Sequence, residues 1–189
     1  MSALRWTLAT TAGFALGGVA LHSPGASAVG TSYLEFDVSA ATFGAFLGTL
    51  VGLVTGLLQL IARRSRELRL VAAAVLGVAI AHALADGAPA IWGVPVVAAL
   101  SGLAAAIAFA WATRTRDVRL LAIWFAAWTA GWLVGVSLAG ALGLSGGATP
   151  EVWAAEHLVI AASLGLAWGF ATSTDVRRVV ERRWSFRSG

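Results

Sequence analysis

Six apolar runs of about 20 residues, separated by short connections that hold most of the charge, constrain this chain more than any motif in it. About 20 helical residues at about 1.5 Å each cross the roughly 30 Å of hydrocarbon in a bilayer. The runs cover residues 5–22, 42–62, 68–86, 91–112, 118–140 and 152–172, and they predict an all-α integral membrane protein of six transmembrane helices. Only 12% of the 189 residues are charged and 59% are apolar. An average soluble domain carries roughly 25% charged residues, so water is not the main solvent of this chain.

The arginines orient the spans. All 13 basic side chains are arginine, and they fall before the first run (Arg5), between the second and third (Arg63, Arg64, Arg66, Arg69), between the fourth and fifth (Arg114, Arg116, Arg119) and after the sixth (Arg177, Arg178, Arg182, Arg183, Arg187). The connections 23–41, 87–90 and 141–151 have none. Basic residues mark the cytoplasmic side, which predicts both termini inside a cell membrane, taken as a prokaryotic plasma membrane. The formal charge of +4 therefore belongs to loops, whereas a nucleic-acid binder needs a basic stripe on a soluble fold. With no cysteine, disulfides, thiolate metal sites and cysteine nucleophiles are excluded. Arg5, the apolar stretch to Leu21 and Ala26-Ser27-Ala28 also resemble a secretory signal peptide. A retained first helix is preferred, because its small residues are spaced like those of the later spans.

That spacing points to an internal repeat. The cytoplasmic ends of the even spans read alike from Ala62, Ala112 and Ala171. Upstream of them, Gly52, Gly102 and Ala161 form one row, and Gly56, Ala106 and Gly165 the next. Counted from Arg5, Arg69 and Arg119, the odd spans give Gly13, Gly77 and Ala127, then Gly17, Ala81 and Gly131. Self-similarity of this kind predicts three copies of a helical hairpin, at about 5–62, 68–112 and 118–172. They make one membrane domain over 1–174, followed by a basic cytoplasmic tail, 175–189, expected to lie on the anionic inner leaflet.

Small residues four apart let helix backbones approach in lipid, where apolar surface alone drives no association. Gly44, Gly48, Gly52 and Gly56 form such a ridge, as do Gly131 with Gly135 and Gly165 with Gly169. These ridges predict packing, within the chain or against a membrane-protein partner or a second copy.

One ionisable constellation stands near the predicted outer ends of the spans. Asp86 follows His82 by one helical turn, and Glu156 adjoins His157; His22, Glu35 and Asp37 lie at the same end. Imidazole with carboxylate suits a divalent metal, a tetrapyrrole or a proton relay, but the spacing matches no recognised metal motif and no cofactor is indicated. Gln59 is expected to hydrogen-bond a neighbouring helix. Among nine tryptophans, Trp6, Trp92, Trp111, Trp153 and Trp184 read as interfacial anchors. Trp124, Trp128 and Trp132 form a stripe down span five that suits packing first and a groove for a flat apolar ligand second. Two functions remain open. The first is a noncatalytic scaffold or accessory subunit packing against other membrane components. The alternative is a small-molecule binding or transport protein with an outward site near His82, Asp86, Glu156 and His157. An enzyme using those same side chains is the weaker third.

Overall fold

The computed structural model describes residues 3–21, 34–63, 67–145 and 149–185, with side chains only to Gly17 in the first helix and to Ser173 in the last. The described residues are helical, in the order α1 (Ala3–Leu21), α2 (Val38–Arg63), α3 (Leu68–Gly87), α4 (Gly93–Thr113), α5 (Val118–Ala141) and α6 (Pro150–Ser185), with a 3-10 turn at Ala90–Trp92 before α4. Five of the six helices, α2 to α6, are long and apolar enough to cross a membrane. The boundaries follow local chemistry. Asp37 caps α2 by accepting from the amides of Ser39 and Ala40 at 2.9 and 3.0 Å, and Asp117 accepts from Arg119 at 2.9 Å ahead of α5. Both are N-cap bonds to otherwise unsatisfied donors. Asp37 thereby has a structural task. α6 runs on through residue 174 to Ser185, while the leaflet-facing surface expected of the tail lies outside the described residues.

Each helix packs antiparallel on the helices before and after it in sequence, and α6 returns to α1, which closes a ring of six. The α2–α3 and α4–α5 connections share one end of this ring with the start of α1, so Arg5, Arg69, Arg114, Arg116 and Arg119 gather there. The other end has no arginine among its described residues.

Close approach at the seams depends on small residues. A Cβ on Gly48 would lie 2.6 Å from the Val78 carbonyl oxygen, and one on Gly52 would lie 2.6 Å from both the Ala74 oxygen and the Val75 Cα. α2 therefore lies directly on the backbone of α3. Gly135 meets the Ile160 Cα at 2.7 Å across α5–α6, and Gly165 meets the Thr11 Cα at 2.6 Å across α6–α1, by the same measure.

Hydrogen bonds tie α1 to both of its neighbours. Gln59 Nε2 donates to Thr10 Oγ1 at 2.8 Å, which in turn donates to the Trp6 carbonyl at 2.9 Å. Trp6 Nε1 donates to Thr172 Oγ1 at 2.8 Å, and that hydroxyl donates to the Trp168 carbonyl at 2.8 Å. Gln59 thus reaches the adjacent helix, as its position in the sequence led us to expect. Trp6 corrects another expectation: it is wholly buried inside the ring rather than anchored at an interface. The reason is that Thr172 offers its indole an acceptor where lipid offers none. Thr172→Val leaves a buried N–H without an acceptor, and adding Trp6→Phe removes that orphan. A double-mutant cycle followed by reversible unfolding in bicelles should give a coupling of about 1 kcal/mol. Additive losses would show that the bond contributes nothing.

Candidate ligand cavity

The arginine-free half of the ring holds a cavity of about 170 Å³. Its polar groups come from two helices. His82 and Asp86 reach it from α3, one turn apart, and His157 reaches it from α6. Aromatic rings come from Phe14 on α1, Trp132 on α5 and Trp153 on α6. Leu47 and Val51 of α2 and Ile160 of α6 add apolar wall.

The two imidazoles are held in the same way. Nδ1 of His82 lies 3.0 Å from the Val78 carbonyl oxygen, and Nδ1 of His157 lies 3.0 Å from that of Trp153. A carbonyl only accepts, so Nδ1 of each ring donates a hydrogen to it. The Trp153 indole stacks on the His157 ring at 3.8 Å and 30°. Asp86 occupies a berth made by a missing side chain: a Cβ on Gly44 would fall 2.5 Å from Asp86 Oδ2 and 2.5 Å from the His82 carbonyl oxygen. The first glycine of the α2 ridge therefore serves the cavity as well as the seam.

Below the cavity the ring is filled by aromatic side chains. Phe14 meets Trp128 edge-on at 5.6 Å, and Trp128 meets Trp168 at 5.2 Å. Phe109 packs in the same way on Trp124 at 4.7 Å and on Trp168 at 5.6 Å. Such T-shaped contacts suit the ring quadrupoles. A second cavity of about 20 Å³ lies deeper, lined by Thr55, Gln59 and Trp128 among others, and Phe14 borders both spaces. Thr55 Oγ1, Trp124 Nε1 and Trp128 Nε1 are buried without a hydrogen-bond partner among the described residues.

The residues singled out from sequence thus separate. His82, Asp86, His157 and Trp132 come together at the cavity. Glu156, next to His157 and turned off its face of α6, is not part of the wall. Trp124 and Trp128 sit in the aromatic plug, 0% and 2% exposed, with Phe109, Phe14 and Trp168. Glu35 is exposed near the start of α2, and His22 lies outside the described residues. Among the described residues no three histidine, aspartate or glutamate side chains come close enough to hold a metal ion. Trp153, read from sequence as an anchor, is a wall residue, and its signal was its place one turn before His157. Phe14 carried no signal at all. Comparisons of the chain with known protein families, with curated proteins and with solved structures find no match.

Proposed function

We propose that this chain is a six-span membrane protein, with both termini in the cytoplasm, that binds a small molecule in the cavity at its outer side as a binding or transport protein. The observation that carries this reading is the convergence of His82, Asp86, His157, Trp132 and Trp153, from three helices, on one concave space. Ligand sites are concave and mostly apolar, with a few converging polar groups, and this cavity has that character. The glycine ridges and Trp124 with Trp128, on which a scaffold would rely for partners, are engaged by other helices of the same chain. The aromatic plug on the arginine side of the pocket fits a transporter in one of its states.

Three hairpin copies fit the same picture. Gly13 faces Thr55, Gly77 faces Ala105 and Gly131 faces Leu164, and each partner stands seven residues before Ala62, Ala112 or Ala171. The third copy is set one helical turn further along, at Gly131 instead of Ala127.

Native mass spectrometry of protein released gently from its own membrane tests the reading. Wild type should carry a mass excess that an assembled Ala161→Trp variant, its cavity filled, lacks. Equal masses for the two proteins would sink the proposal.

A further inference from the structure

We infer that the cavity selects a small organic cation, a primary amine or a quaternary ammonium, over neutral and anionic molecules of the same shape. This rests on the cavity being the ligand site. Asp86 is the one carboxylate of the wall, and no arginine is part of it. Asp86 has no hydrogen bond or ion pair among the described residues, and the described arginines lie at the far end of the ring. A carboxylate withdrawn from water without a partner is costly, and a cationic ligand offsets that cost directly.

The wall's two histidines each have the Nδ1 hydrogen committed to a backbone carbonyl at 3.0 Å. Phe14, Trp132 and Trp153 add aromatic rings, whose negative faces attract cations and form the cages that recognise quaternary ammonium groups. A lone carboxylate beside aromatic rings therefore favours a cation. Size narrows the class. An apolar cavity of about 150 Å³ accommodates benzene, so the 170 Å³ here suits a ligand of roughly six to ten non-hydrogen atoms.

The test uses the full chain in lipid nanodiscs, with binding read by calorimetry and tryptophan fluorescence. The probes are methylammonium, tetramethylammonium and choline, with 3,3-dimethylbutan-1-ol and 3,3-dimethylbutanoate as the neutral and anionic isosteres of choline. Choline or tetramethylammonium should bind at least about tenfold tighter than either isostere. Asp86→Asn should remove most of that preference, Trp132→Leu should weaken cation binding by about tenfold, and Glu156→Gln, off the wall, should change neither. If an isostere binds as well as the cations, and Ala161→Trp abolishes its binding, the cation assignment falls and the cavity remains the ligand site. If none of the three cations binds, the assignment falls as well, and the mass comparison of Ala161→Trp with wild type decides whether the cavity reading falls with it.

Discussion

Replacing Gly52 with leucine is expected to prevent the ring from assembling. Its Cβ alone would stand 2.6 Å from the Ala74 oxygen and 2.6 Å from the Val75 Cα. Both are backbone atoms of α3 and cannot swing aside as the tip of a side chain can. Even Gly52→Ala should cost about 1–3 kcal/mol, the usual range for overpacking a close-fitting interior. Leucine adds three more carbons along the same line, and α2 would have to lift from α3 along much of its length. That movement would also disturb Gly44 and the Asp86 carboxylate beside it. The measurement is yield of monodisperse protein together with the midpoint of unfolding in mixed micelles. Gly140→Ala is the control, since the nearest neighbour of a Cβ there is Ser145 Oγ at 3.5 Å, and it should behave as wild type. A Gly52→Leu protein of normal yield and midpoint would mean that α2 and α3 do not meet as described.

The second large effect is expected at the centre of the plug. Trp128→Ala removes an indole that is 2% exposed and that meets both Phe14 and Trp168 edge-on. Loss of a buried aromatic side chain typically costs about 3–5 kcal/mol, the more so where surrounding groups cannot collapse into the space. Here collapse is hindered on one side by the existing cavity lined by Thr55 and Gln59. Trp128→Phe should be much milder, about 1–2 kcal/mol, because the indole N–H it discards has no partner to lose. Unfolding free energies of the two variants give the comparison, and free indole should restore part of the stability of the alanine protein. A loss below about 1 kcal/mol for Trp128→Ala would show that this residue does not hold the plug together.

These sites show what a sequence in this solvent reveals. The positions of the helices were legible because span length and breaks of charge are one-dimensional signals, and His82 with Asp86 was legible because one helical turn is a fixed interval. The inward face of each helix was harder to read. In lipid, wall and core are both apolar, so residue type alone does not separate Trp111, 56% exposed, from Trp124, 0% exposed. A Cβ at Gly44, Gly48, Gly52 or Gly56 of α2 would fall against the α3 backbone. Trp6 was misjudged because its acceptor, Thr172, is 166 positions away. The exclusion of Glu156 from the cavity wall depends on which way α6 is turned, and nothing in its own segment specifies that rotation.

The closing seam between α6 and α1 has a consequence for the order of events at the ribosome. A chain emerges from its N-terminus, and early parts begin to fold before later ones exist. α2 can receive α1 at once, and each later helix finds its predecessor waiting. The flank of α1 that ends against Gly165 and Gly169, and the Trp6 indole with it, must wait until the sixth helix has been synthesised. Throughout that interval α1 lacks the α6 groups that cover its Trp6 indole and its threonines. A ribosome stalled just short of α6 would leave an arc of five helices with two unmatched edges.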